Sequence, residues 1–447
     1  MDTQQQAIEF VMSLAKEHHN TDVDVVLGRR ESKTVRVRDA KVEKVDQSTA
    51  QGLGIRVLEE GRTGLSYTER LDSTAIERAF LAARENAKLM DPTEVVMNKT
   101  IPQVPDPATL ETYNPALDAL TLEDLATFGL EMEAAAKNGH KSVKNVPHAG
   151  VTISSGMYRI VSTYGADYIQ YSNNVQGGCS VLLEDGDRRK SGGHGMALRH
   201  WEPQKASEIG RIAAEKGGAL LPASKIPGGP IPIVLDEEVA PQLLGMYFGA
   251  FSAEAAQKGQ SRLAGRLGEQ IAGEDITIVD DPHRLGALAS RYLDAEGTLT
   301  KPLTLIDKGR FNSFRYHIES AKKEGRESTG HGSRGTSGGV STSSHSLVLE
   351  TGSHTLEQLT ALPKRCLLVT ELEGAAGCNP LSGDISIGVQ GFLVENGERV
   401  HPVDSVTIAG NFFDLLKTIQ ARGDRYQPDL ATVFFPALLL DGLTVAS

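Results

Sequence analysis

Apolar positions recur with two different periods along this chain, and the change from one period to the other separates helical from extended stretches. Ala7, Phe10, Val11, Leu14 and Ala15 fall at helical spacing between residues 4 and 16, which predicts an amphipathic helix with one apolar stripe. From Val23 to Thr68 the period drops to two. Val23/Val25, Val35/Val37, Val42/Val45 and Leu53/Ile55/Val57, separated by Gly, Asp and Glu-Gly turns, predict a meander of short strands. Helical period returns at Ile76, Ala79, Phe80, Ala83 and Ala87, where Thr74 and Glu77 have the form of a capping box. Pro92, Pro102, Pro105, Pro107 and Pro115 then fix φ and remove donors, so the stretch from Met90 to Pro115 reads as an irregular crossing segment.

A helix is predicted from about Thr121 to Lys137, a second strand-rich block from Val151 to Leu198, and another helix from about Ala206 to Leu221. Ile226-Pro227-Gly228-Gly229-Pro230 concentrates turn-formers and marks the expected domain boundary. Beyond it come a buried strand at Ile231–Leu235, a helix from Glu238 to Phe251, a strand at Ile276–Asp280 and a strand-rich remainder. Ser328 to Ser346 is rich in Ser, Thr and Gly, too polar to pack, and is expected to be a mobile loop. The expected fold is α+β in two domains of antiparallel strands with packed helices. These are an N-terminal domain 1–225 and a strand-rich C-terminal domain 226–447.

Composition narrows the function classes. A chain of 447 residues is long for one core, and 39% apolar with 23% charged residues is ordinary for a soluble globular protein. The net charge of -12 opposes nucleic-acid phosphates, and no stretch gathers enough basic residues to override it. Asp187-Arg188-Arg189-Lys190 reads as a charged turn between strands, so no direct nucleic-acid partner is expected. Cys179, Cys366 and Cys378 form no CxxC pair, which suits a reducing compartment. The opening residues carry Asp2 and Gln4 to Gln6 rather than a basic, then apolar leader, and no apolar run reaches the ~18 residues of a membrane span. A cytoplasmic protein without membrane contact is expected.

Several motifs invite chemistry. Gly330, Gly332 and Gly335 spell G-x-G-x-x-G, but no strand feeds them and no helix follows, so the dinucleotide reading fails. Gly335-Thr336-Ser337-Gly338-Gly339 spells the G-x-S-x-G of a nucleophile elbow without the strand-to-helix turn that exposes the serine. Among twelve histidines there is no His-Glu dipeptide, and His18, His19, His194, His200, His317, His331, His345, His354 and His401 lack ligand-like spacing. Surface or cap roles are expected for them, although His331 and His345, on the mobile loop, could still reach a metal in space. Glu371, Glu373 and Asp384 flank Cys378 where a strand gives way to a glycine-punctuated loop. A turn-stabilising role is expected for the acids, and Cys378 as a nucleophile needs a base beside it.

Leu367 to Asn411 carries the sharpest signature: Val369-Thr370-Glu371-Leu372 with Gly374, Gly388-Val389-Gln390-Gly391-Phe392, Val394-Glu395-Asn396-Gly397-Glu398, and Thr407-Ile408-Ala409-Gly410-Asn411. With Asp294-Ala295-Glu296-Gly297, Asp307-Lys308-Gly309 and Gly54-Ile55-Arg56-Val57, it resembles the TldD/PmbA family over nearly the whole chain. One kind of subunit in that family carries His-Glu-x-x-x-His on a helix after a strand, and the other lacks it. Aligned on Ile231–Leu235 and Leu243-Leu244, those three positions fall here on Gly245, Met246 and Ala250, none able to ligate zinc or activate water.

The chain therefore resembles the PmbA (TldE) type. That resemblance implies no catalytic, cofactor-binding or metal-ligating residue in this chain. It also implies zinc only in a TldD-type partner subunit, with which the chain would form a metalloprotease acting on small or unfolded peptides. The resemblance further brings a link to modulation of DNA gyrase and to peptide maturation, the gyrase link read as indirect. A stand-alone homodimeric peptide-binding or scaffold protein is the competing expectation, and an independent hydrolase built on Cys378 or the loop histidines is a third.

Overall fold

Residues 3–18, 21–93, 97–99, 102–427 and 430–447 are described by a computed structural model. Asp2 and His19, used above, lie outside the described residues. The predicted first helix is α1 (Thr3–Glu17), with Ala7, Ile8, Val11, Leu14 and Ala15 buried. The meander is longer and simpler than its glycines suggest. It consists of β1 (Asp22–Arg38), β2 (Lys41–Glu59) and β3 (Arg62–Thr68), followed by α2 (Ser73–Lys88). Helix α2 is capped by Asp72, whose carboxylate accepts from Ala75 N, so the Thr74/Glu77 capping box does not form. Among its described residues, the proline-rich crossing contains only single turns at Pro107–Leu110 and Pro115–Asp118; residues 94–96, 100 and 101 of the expected crossing lie outside the described residues. Then follow α3 (Leu122–Asn138), β4 (Val143–Ser162), β5 (Asp167–Asp185), β6 (Arg188–Leu198) and α4 (Lys205–Leu220).

These strands form one antiparallel sheet in the order β3-β2-β1-β4-β5-β6. Helix, three strands and helix therefore occur twice, and the sheet order mirrors itself about the β1/β4 pair. The two copies share packing detail. Buried positions 76, 79, 80, 83 and 87 of α2 reappear 130 residues on as buried positions 206, 209, 210, 213 and 217 of α4. A Cβ on Gly64 of β3 would meet Ala83 O at 1.9 Å and Ala87 N at 2.5 Å. One on Gly192 of β6 would meet Ala213 O at 2.3 Å and Gly217 N at 2.5 Å. In both copies a bare glycine lets the third strand touch the backbone of the closing helix.

Side chains alternate across a strand, so β1 assigns the faces of the sheet. Its odd positions Val23, Val25 and Leu27 pack beneath α1 and α2, and Val35 and Val37 beneath α3 and α4. Both helix pairs thus lie on one face, at opposite ends of the strand. On the even face, Asp24 and Val26 are buried, whereas Arg30 and Arg38 are exposed.

The C-terminal half is built on an eight-stranded mixed sheet. It contains β7 (Ile233–Leu235), β10 (Arg365–Glu373), β11 (Asp384–Glu395) and β12 (Glu398–Asn411), once β8 (Ile278–Asp280) and β9 (Leu347–Leu349) are assigned to a second, five-stranded sheet. Among the described strands of these two sheets, pairing is antiparallel except for β7 with β10 and β9 with Val433–Phe434. A large apolar cluster lies between these sheets, with Tyr247, Phe248, Phe251, Phe311, Phe412 and Phe435 among its fully buried rings, and a smaller one around Val234, Cys366, Leu368 and Leu439 covers the other face of the eight-stranded sheet. The fold is α+β.

Candidate functional site

The helix that the resemblance singles out starts from a buried carboxylate. Asp236 follows β7 and its Oδ1 accepts from Glu238 N at 3.0 Å and Val239 N at 2.8 Å, opening α5 (Val239–Gly245). Burial pushes the Asp236 carboxyl up to about 7 despite those donors. The predicted helix from Glu238 to Phe251 is not continuous: α5 ends at Gly245, and Phe248–Phe251 forms a separate 3-10 turn. Aromatic packing breaks it. The Tyr247 ring stacks on Phe412 at 4.8 Å and its hydroxyl donates to Asp384 O at 2.8 Å, while Phe248 stacks on Phe251 at 5.0 Å and meets Phe435 edge-on at 5.4 Å. A Cβ on Gly245 would lie 3.2 Å from Val433 Cγ2, and Ala250 is buried. Neither position has room for an imidazole without displacing its neighbours.

The flanking candidates do not converge. Cys378 Sγ lies 4.0 Å from Ser386 O and beside Tyr247, whose hydroxyl is pushed above its usual range by burial and then by Cys378. Neither neighbour is a general base for a thiol. Asp384 accepts from Ser382 Oγ at 2.6 Å and Asn411 Nδ2 at 3.1 Å, bonds that hold it below the usual carboxylate range, and Glu373 accepts from Gln390. Glu371 is raised by burial against the pull of Lys216 and Lys190. Those lysines belong to the junction with the N-terminal half, where Lys216 pairs with Glu238 at 2.5 Å and Lys190 with Asp404.

The segment from Ser328 to Ser346 is the largest departure from expectation. Its two ends are not shed into solvent: His331, Gly332, Arg334, His345 and Ser346 are buried and Gly332–Ser333 pairs with Ser341–Thr342, whereas Gly335, Ser337, Gly338 and Gly339 between them are exposed. His331 and His345 do meet, with ring centroids 4.7 Å apart, but deep in the core rather than at a surface or cap. His345 N donates to Asp280 Oδ1 at 2.8 Å and its Nε2 lies 2.8 Å from Gly330 O. Burial, then His331, pushes its imidazole down to about 3. Asp280 would be raised by burial alone, but His331 and Arg315 hold it below the usual range. Among the described residues, no three His, Cys, Asp or Glu side chains are grouped as a metal site.

Polar residues can be buried here because charges from the two halves neutralise one another. Arg56 Nε donates to Asp24 Oδ2 at 2.9 Å and its Nη1 to Glu296 Oε1 at 3.2 Å, while Arg334 Nη2 lies 2.7 Å from Asp24 Oδ1. All four side chains are 5% exposed or less. Ile318 N donates to Glu296 Oε2, and Tyr158 Oη to Arg334 O at 2.9 Å. Thr336 completes the contact on bare backbone, since a Cβ on Gly54 would lie 2.1 Å from its carbonyl oxygen and one on Gly52 2.9 Å from its Oγ1. The glycine-rich motifs therefore serve to seat a segment of the C-terminal half on the even face of the N-terminal sheet. Sequence reasoning missed this clasp. Its signal was present in Asp24 and Arg56, single charges inside the apolar runs Val23–Val26 and Ile55–Val57, with Gly52 and Gly54 alongside. Beside the clasp, a groove of about 760 Å³ runs over Arg30, Gly156, Ser172, Asn174 and Ser337.

Three family profiles match the chain: PmbA/TldA metallopeptidase domain 1 over residues 23–87, the central domain over 115–221, and the C-terminal domain over 228–447. The Metalloprotease PmbA of Escherichia coli O157:H7 is 27% identical over 99% of this chain and 98% of its own length. A PmbA homologue of Haemophilus influenzae is 27% identical over 99% and 95%. A crystal structure from Thermotoga maritima, of a protein described as a candidate modulator of a DNA gyrase, superposes with a TM-score of 0.88 at 27% identity, covering 99% of this chain and 100% of its own. TldE from Thermococcus kodakarensis shares the fold, with a TM-score of 0.87 at 24% identity over 99% and 100%.

Proposed function

Because the chain belongs to the PmbA/TldD metallopeptidase family as a PmbA/TldE-type member, we propose that it is the subunit of a two-component peptidase that does not hold the metal. In this reading a TldD-type partner contributes zinc and activates water, and the assembled pair acts on small or unfolded peptides in the cytoplasm. The observation that carries the proposal is the state of the motif helix. Gly245, Met246 and Ala250 stand where the resemblance places two imidazoles and a carboxylate, and the helix itself stops at Gly245. A metal ion does not fit these residues, and no catalytic step in this chain is routed through one. Among the described residues no helix is long and apolar enough to cross a membrane.

A second reading, a stand-alone homodimer that binds peptide or acts as a scaffold, is favoured by the groove beside the clasp, which provides a ligand surface independent of the motif helix. The deciding experiment is elemental analysis for zinc with hydrolysis of an unfolded peptide, on the purified chain alone and mixed with a TldD-type subunit. Zinc and cleavage that appear only in the mixture support the subunit reading. Stoichiometric zinc and chelator-sensitive cleavage in the lone chain overturn it.

A further inference from the structure

The two copies of the N-terminal repeat differ at one edge. β2 pairs with β3 only from Leu53 to Glu59, and β5 with β6 only from Val175 to Asp185. The remainder of β5 is covered by an extended stretch of the crossing segment: Asn173 N donates to Thr112 O at 3.1 Å, Thr112 Oγ1 to Tyr171 O at 2.8 Å, and Asn114 N to Asn173 Oδ1 at 2.8 Å. The corresponding stretch of β2, Lys41 to Gln51, has no such cover among the described residues. Residues 41–50 are exposed throughout, including Val42 and Val45. A register shift opposite Arg36/Val37 places a β-bulge at Glu43 and leaves Lys44 to Gln51 as a regular, unpaired edge.

The β1–β2 hairpin that ends in this edge is basic in an acidic protein. Between Arg29 and Asp46 there are seven Lys and Arg against four Asp and Glu, a net of three positive charges in a chain of -12. The excess is spread over eighteen consecutive residues rather than packed into a short run, and strand geometry gathers it on one face. β1 and β2 place Arg30, Arg36, Arg38, Lys41 and Lys44 on the even face. Arg38 pairs with Glu43 at 3.0 Å and Lys44 with Asp46 at 2.8 Å, both in water. Arg36 and Lys41 have no carboxylate partner among the described residues.

We propose that the edge from Lys44 to Gln51 takes an extended, acidic polypeptide segment as an added strand, as the second repeat takes Thr112–Asn114 from its own chain. The proposal deepens the peptide-handling function above and rests on it, naming the class of peptide. Backbone N–H and C=O groups on the open edge supply the pairing, and Arg36, Lys41 and Lys44 select for acidic side chains. The same lysines and the bulge oppose pairing with the identical edge of a second copy, which would bring like charges together. Residues 41–51 contain no aromatic side chain on which a nucleic-acid base could stack.

The test is fluorescence anisotropy on the full chain with a labelled octapeptide of alternating Glu and Val. It is compared with a Lys/Val octapeptide and with the Glu/Val peptide N-methylated at alternate residues in each frame. The acidic peptide is expected to bind about tenfold or more tightly than the basic one, and N-methylation in one frame to abolish binding. The double substitution Lys41→Glu with Lys44→Glu should reverse the charge preference while the far-UV spectrum and thermal midpoint stay unchanged. Three results overturn the proposal: equal binding of both N-methylated probes, indifference to the charge reversal, or a single-stranded oligonucleotide bound in preference to the peptide. Cleavage is not read, so a negative result leaves the subunit assignment standing, and failure of partner-dependent cleavage leaves a positive binding result visible as such.

Discussion

Two ends of one sheet face use charge in opposite ways. At the clasp, Asp24 and Arg56 of the N-terminal sheet meet Glu296 and Arg334 of the C-terminal half, and all four are excluded from water. Along the same face, beyond Gly28, Arg30 and Arg38 stand in solvent. Burial makes each charge in the first group dependent on its partners, because an isolated ion cannot remain in a dry interior. Exposure leaves the second group free to meet something from outside. The clasp therefore belongs to structure and the open stretch to recognition, although the residue types are the same.

Asp24→Ala should produce the largest effect, since it strands Arg334 and deprives Arg56 of its main partner. A loss of about 3–5 kcal/mol is expected in urea unfolding, and pairing it with Arg334→Met should recover part of the loss. A carboxyl whose burial outweighs the pull of Lys216 extends the same lesson. Asp236 titrates near 7 in the folded chain, above the unfolded value of about 3.9. The folded state therefore keeps a proton that the unfolded state has lost, and stability falls as pH rises from about 4 to about 7. Asp236→Asn should leave stability unchanged near pH 4 and raise it by roughly 2–4 kcal/mol at pH 8, read from denaturation curves at both pH values. Gly54→Ala forces a methyl group against Thr336 O and should cost about 1–3 kcal/mol. Hydrogen exchange should show the loss concentrated in residues 328–346. At the open end, Lys41→Glu with Lys44→Glu should change unfolding free energy by no more than about 0.5 kcal/mol. A large destabilisation there would erase the distinction between the two ends.

What could be read from sequence followed local periodicity. The stripe of α1, the five buried positions of α2 and the Val-rich alternation of β1 and β2 are each set by neighbours within a few residues. The absence of His and Glu at positions 245, 246 and 250 was equally legible, being a matter of identity alone. The break after Gly245 was not, because it depends on Phe412 and Phe435, far along the chain. Glycines were read as turns or as flexibility, whereas Gly52, Gly54, Gly64 and Gly192 lie within strands and serve close approach. Polarity misled in the same way at Ser328–Ser346, where burial depends on Asp24, Asp280 and Asp294 from other segments. The basic face and the tandem repeat are likewise properties of pairing and register.

The clasp also sets an order of events during synthesis. Arg56 and Glu296 are separated by 240 residues. At the usual elongation rate of about 5–20 residues per second, the N-terminal sheet waits roughly 10–50 seconds for that carboxylate. Throughout that interval Asp24 and Arg56 have only water and each other, on a face with bare glycine backbone beside it. The nascent chain is therefore open to wrong pairing at a surface that later becomes a buried junction.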